Sequence, residues 1–191
     1  MSVREVVEIG DPVLRERARE LSAEEISSPQ IQGLIDDLIE TKRATNGAGI
    51  AANQVGEAVR VAIVEVEEHN PRYPYKPPHP LTVIINPAIE PLSDEKVEIN
   101  EGCLSVPDLR GSLERHLAIR VRYLDRNGAE HEEVKRGLTA GTFQHEVDHL
   151  DGILFVDRAD PRTFATWEQF DRYQREEFVR RVTRLEQELG T

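Results

Sequence analysis

The strongest constraint on how this chain can fold is the stretch Gln144-His145-Glu146-Val147-Asp148-His149-Leu150-Asp151-Gly152. His145 and His149 are four residues apart, so a helix stacks them on one face, where both can reach a single cation. Ala140, Phe143, Val147 and Leu150 recur on the other side of the same wheel. A helix with an apolar back and an imidazole front belongs at the centre of a fold, packed on a sheet, and its buried histidines then need a partner. Glu146 projects to the side, where a carboxylate can handle a proton on metal-bound water. The helix is expected from about Thr139 to His149 or just beyond, with Asp151-Gly152 ending it.

The remaining elements follow from periodicity and punctuation. Ser28 reads as an N-cap with Pro29 at the first helical position, and Ile31, Leu34, Ile35, Leu38 and Ile39 follow at helical spacing, so 29–45 is an amphipathic helix closed by Asn46-Gly47. Strands are expected at Val59–Val66, at Leu81–Ile85 (stopped by Asn86-Pro87) and around Val97–Ile99. Leu117–Leu124 and Ala129–Lys135 flank Asp125-Arg126-Asn127-Gly128, a hairpin signal. The proline-rich stretch 69–80 reads as a surface excursion. A long helical stretch covers 162–189. Strands that neighbour one another without intervening helices give α+β rather than βαβ. The expectation is one domain over residues 1–191: short, mostly antiparallel strands around a central metal-binding helix, with N-terminal and C-terminal outer helices and 162–189 as a C-terminal helical extension.

Charge and cysteine usage narrow the function. The net charge of −12 argues against direct DNA binding or other non-specific nucleic-acid contact. No apolar run is long enough to span a membrane and the N-terminus lacks a signal-peptide pattern, so the expected location is cytoplasmic. The single cysteine, Cys103, excludes an internal disulfide and leaves an inert core thiol, a reactive one or a ligand.

Two histidines make an incomplete site, because a catalytic cation usually takes three protein ligands and water. Six residues after His149, where a third histidine would complete one known pattern, stands Phe155. Glu168 lies near the distance at which thermolysin-like endopeptidases place a glutamate ligand. Cys103 is the other candidate: a thiolate binds zinc or iron strongly, and Gly102 beside it frees the backbone of the Glu-Gly-Cys-Leu-Ser turn to present the sulfur.

Three segments decide between them. Gly47-Ala48-Gly49-Ile50-Ala51-Ala52-Asn53-Gln54, Glu101-Gly102-Cys103-Leu104-Ser105 and His145-Glu146-Val147-Asp148-His149 stand in this order, and together they closely resemble the three signatures of the peptide deformylases. The motifs cover about a tenth of the chain, and the general layout is similar from the N-terminal helix to Phe155. Departures are Ala48, where many members carry a bulkier apolar residue, Ile50 in place of leucine, and a longer 69–80 loop. The resemblance implies a metal-dependent hydrolase that removes the formyl group from N-formyl-methionyl nascent polypeptides. It implies Cys103, His145 and His149 as metal ligands, Fe²⁺ as the native ion with Zn²⁺ or Ni²⁺ accepted, and metal-bound hydroxide as nucleophile. Glu146 would serve as general base and acid, and Gln54 with the Leu104 backbone N–H would stabilise the oxyanion. Leu138, Gly141, Thr142 and the stem of Glu101 would wall the substrate's side-chain pocket. Backbone groups of Ala48, Gly49 and Gly102 would pair with the peptide as an added strand. Asp148 would orient a ligand, paired with Arg115, or simply be solvated.

Residues 160–191 hold six arginines against seven acids. Some bacterial deformylases dock a basic C-terminal helix on the ribosome, and Arg172, Arg175, Arg180, Arg181 and Arg184 are the candidates here. The interleaved Glu176, Glu177, Glu186 and Glu188 favour a solvated helix.

Overall fold

The computed structural model describes residues 2–190. After a short helix α1 (Ala23–Ile26), capped reciprocally by Ser22 and Glu25, comes α2 (Pro29–Ala44). Ser28 caps α2 by accepting a hydrogen bond from the Ile31 N–H, and Asn46 leaves it in the left-handed region at φ 53°. The strands are β1 (Gly49–Ala51), β2 (Val61–Val66), β3 (His79–Pro91), β4 (Lys96–Cys103), β5 (Val106–His116), β6 (Ala118–Leu124) and β7 (Glu130–Arg136). Three helices follow: α3 (Gly137–Leu150), α4 (Trp167–Tyr173) and α5 (Arg175–Leu189).

All strand pairings are antiparallel, in a five-stranded sheet of order β1-β2-β3-β6-β7 and a separate β4-β5 hairpin. The α+β expectation holds, and β2 shows why the layers form. Its alternate residues serve two cores: Val61 and Ile63 pack with Leu34, Ile35 and Leu38 of α2, whereas Ala62 and Val64 pack with Ala140, Phe143, Val147 and Leu150 of α3. Period-two alternation with both faces covered produces the unbroken apolar run Val61–Val64. The predicted apolar stripe of the histidine helix is the stripe that α3 buries.

Several elements run differently from their sequence reading. The strand expected to stop at Ile85 continues to Pro91, because a bulge between Ile85 and Ala88 absorbs Asn86-Pro87. Asn86 adopts φ 49°, and its side chain bonds both the N–H and the carbonyl of Leu21, which holds the bulge. The Val97–Ile99 strand extends to Cys103, so the cysteine ends a strand rather than riding in a turn, and its partner β5 carried no clear signal. The single helix expected over 162–189 is a 3₁₀ turn followed by α4 and α5, broken at Gln174. In one continuous helix Phe170 and Val182 would point about 120° apart. The break lets both join Ile99 and Leu138 in one cluster.

The stretch 69–80 is not a simple surface excursion. Tyr73 is buried, packed with Ala48 and Val66 and against Tyr75 and Trp167, and this segment closes one side of the cleft described next.

Candidate metal centre and active site

The buried face of α3 fixes where its histidines go. With Phe143, Val147 and Leu150 anchored on the sheet, His145 and His149 face the β4-β5 hairpin, and β4 ends there at Cys103. His149 Nε2 lies 3.2 Å from Cys103 Sγ and 3.2 Å from His145 Nε2. One donor atom from each of the three residues lies within 4.8 Å of the others. Two imidazoles and a thiol so close together, all at low exposure, fit a small tetrahedral site with a fourth position for water. The thermolysin-like alternative is overturned: Glu168 is exposed on α4 and outside this cluster.

A second layer of charge orients the candidate ligands. Glu101 Oε2 accepts from His145 Nδ1 at 2.8 Å, which turns Nε2 toward the cluster. Arg115 grips both Glu101 oxygens, at 2.8 and 2.9 Å, and also bonds Asp148. Asp148 additionally accepts from Arg158 at 2.9 Å, so the Asp148–Arg115 pairing is present and Asp148 is not merely solvated. Burial alone would raise the Glu101 carboxyl, but the Arg115 guanidinium and His145 hold it far below the usual range. On the other side, the Asn53 side-chain amide donates to the His149 carbonyl.

Glu146 is set differently. It is 3% exposed, and its Oε2 has no hydrogen-bond partner. Burial pushes its carboxyl up to about 7, against the opposing pull of His145 and Lys76. A dication next to it would draw that value down again. Gly49 makes the room: a Cβ there would stand 2.4 Å from Glu146 Oε1. Gly49, the second glycine of the Gly-x-Gly motif, is therefore a packing requirement of the carboxylate across the cleft.

Gln54 sits in a 3₁₀ turn directly after β1. Its Oε1 accepts from the Ala51 N–H at 2.9 Å, so its amide nitrogen points the other way, to Ser105 Oγ at 3.1 Å and Cys103 Sγ at 3.5 Å. A donor held in that orientation faces the cluster of Cys103, His145 and His149. Ala48, Gly49, Gln54, Glu101 and Gly102 line one cleft with Cys103, Leu104, His145 and Glu146, and Leu138, Gly141 and Thr142 line its wall. His149 lies beneath, 1% exposed. Sequence reasoning missed Tyr73, Tyr75 and Lys76, which come from the 69–80 segment and line the same cleft. Lys76 Nζ donates to Thr142 Oγ1 at 2.7 Å, and burial pulls its ammonium down to about 8.

An antiparallel α+β fold that gathers a thiol, two imidazoles and a buried carboxylate with an unpartnered oxygen in one cleft has the parts of a metal-dependent hydrolase. Residues 3–165 match the polypeptide deformylase family model. A peptide deformylase of Leptospira biflexa is 44% identical over 158 residues, 83% of this chain and 88% of that protein. Peptide deformylase 2 of a Nostoc species is 47% identical over 155 residues, 81% of this chain and 85% of its own. Among solved structures, a class I type b peptide deformylase from Acinetobacter baumannii superposes with a TM-score of 0.79 at 44% identity, covering 83% of this chain and 99% of that one. The Thermotoga maritima peptide deformylase gives 0.73 at 34% identity, covering 84% and 100%. The chain belongs to the peptide deformylase family, enzymes that remove the formyl group from the N-terminus of nascent polypeptides.

Proposed function

We propose that Cys103, His145 and His149 hold one divalent cation and that Glu146 moves the protons of deformylation around it. The observation that carries this reading is the convergence of the three donor atoms beside a buried carboxylate with an unpartnered oxygen. A cation in this set supplies a Lewis acid that polarises the formyl carbonyl and acidifies water. One thiolate with two imidazoles suits Fe²⁺, Zn²⁺ or Ni²⁺, and Fe²⁺ is our reading of the native ion.

Each side chain then has a task. Glu146 takes a proton from the attacking water and returns it to the departing amine, and its burial keeps bulk water from competing. Gln54, fixed by Ala51, donates its amide N–H to the oxyanion, with the Leu104 backbone N–H as second donor. Glu101 and Arg115 hold the His145 ring in place. The formyl-methionyl peptide lies along the cleft, pairing with backbone of Ala48, Gly49 and Gly102, and its first side chain enters between Leu138, Gly141, Thr142 and the stem of Glu101. A similar Acinetobacter baumannii enzyme, solved bound to Met-Ala-Ser, supports a peptide as the ligand.

We read the chain as one catalytic unit working in the cytoplasm, with α4 and α5 as an extension packed on it. A ribosome contact through the C-terminal arginines has weaker support. Arg175, Arg180 and Arg181 pair with Asp171, Glu176 and Glu98, and α5 turns Phe178 and Val182 into the core. Formate release from formyl-Met-Ala-Ser by anaerobically purified, metal-replete protein tests the reading, and absence of turnover would overturn it.

A further inference from the structure

The 69–80 segment brings a charge into the part of the cleft that the substrate's first side chain would fill. Lys76 Nζ stands 5.1 Å from the centre of the Tyr73 ring and donates to Thr142 Oγ1. The Thr142 hydroxyl proton goes to the Leu138 carbonyl at 3.1 Å, so toward the lysine Thr142 is an acceptor only. An ammonium has three donors. Among the described residues Thr142 is the one hydrogen-bond acceptor for this ammonium, which leaves two donors for an incoming group. Of its charged and amide neighbours in the lining, Glu146 keeps an oxygen without a partner and makes no hydrogen bond to Lys76, while two others are committed. Glu101 is held by Arg115 and His145, and Asn100 accepts from Arg110 while donating to Ser112. The wall proposed for the first side chain is otherwise apolar: Leu138, Ile99 and the bare backbone of Gly141, where a Cβ would stand 2.6 Å from Ile99 Cδ1.

Resting on the assignment of this cleft to the substrate's first side chain, we infer that Lys76 is a specificity-determining residue whose ammonium binds an acceptor atom on that side chain. The pocket would then distinguish methionine from a hydrocarbon of the same length. It would also admit methionine sulfoxide, whose oxygen accepts far better than a thioether. A site that presents an unpaired donor discriminates against a side chain that leaves it unpaired. The placement depends on tertiary contacts: Tyr75 packs edge-on against Phe178 at 5.2 Å and its hydroxyl accepts from Arg110, so α5 and the hairpin hold the segment that carries Lys76.

The test compares kcat/KM for formyl-Met-Ala-Ser, formyl-norleucyl-Ala-Ser and formyl-methionine sulfoxide-Ala-Ser, using metal-replete wild type and Lys76→Met, with circular dichroism to confirm folding. The wild type is expected to favour methionine over norleucine by about threefold or more, and to cleave the sulfoxide within about tenfold of methionine. In Lys76→Met the methionine-to-norleucine ratio should fall to about one, and the sulfoxide should lose about tenfold relative to norleucine. Unchanged ratios, or an equal gain on all three substrates as expected of a side chain that merely obstructs the cleft, would overturn the inference. Should Lys76→Met fail to fold, wild-type enzyme that cleaves norleucine as well as methionine and ignores the sulfoxide would overturn it alone. Absence of wild-type turnover on formyl-Met-Ala-Ser would instead sink the proposed activity.

Discussion

Two buried glutamates, Glu65 and Glu146, lie on either side of the sheet and are treated in opposite ways. Glu65, near the end of β2, accepts from Lys42 Nζ at 2.7 Å and from Arg43 at 2.8 and 3.0 Å. The hydrogen bonds from Arg43, then those from Lys42, outweigh burial and hold its carboxyl down at about 2. Glu146 is more enclosed yet has an oxygen with no partner, and burial carries it up to about 7. A fully paired buried charge is costly to break because its partner is stranded, and one left unpaired is held against its own solvation by the rest of the fold. The first is structural, and the second suits the proton transfer proposed for it.

The largest effect that would sharpen this contrast is Glu146→Gln. It should lower kcat by about 10²–10⁴-fold, the range for a lost general acid–base group, while bound metal stays at one equivalent. In metal-free protein the same change should leave the melting temperature unchanged or raise it, because an unpaired buried carboxylate is removed. A large fall in melting temperature would erase the distinction between the two glutamates.

Glu65→Leu should do the reverse. It strands the fully buried Lys42 ammonium, so a loss of about 3–5 kcal/mol in urea unfolding is expected, with kcat per folded molecule unchanged. Acid titration follows the same pair. Because the folded-state value of Glu65 lies below its ordinary 4.5, its contribution is complete above that pH and is lost as pH falls toward 2. The stability difference between wild type and Glu65→Leu should therefore shrink across that window, and a constant difference would contradict the assignment.

The smallest effect concerns the C-terminal extension. Glu186 of α5 accepts from the Leu138 N–H at 2.7 Å, at the N-terminus of α3, where a negative group favours the helix dipole. Gly137 sits against it at φ 55°, with no space for a Cβ. Glu186→Gln should cost about 1 kcal/mol by urea unfolding, with metal content unchanged.

The same contrast explains what the sequence disclosed. The candidate metal cluster was legible in part: the histidine spacing and the apolar stripe of α3 are local signals, whereas the residues alone left the third donor open between Glu168 and Cys103, and the resemblance chose Cys103. β5 was not legible, since Pro107, Gly111 and a run of charges mask a strand that exists by pairing with β4. Asn86-Pro87 reads as a stop unless the bulge held by Leu21 is known. Lys76 was out of reach, because its place in the cleft is set by Trp167 and Phe178, about a hundred residues away in the chain. Paired groups such as Lys42 and Glu65 carry no motif, because any acid at the facing position would serve.

X-ray absorption at the edge of the bound metal, on anaerobically purified protein, tests the central claim most directly. One sulfur at about 2.3 Å with two imidazole nitrogens is the expected ligand set, and the sulfur shell should vanish in Cys103→Ser. A site with nitrogen and oxygen ligands only would contradict the account.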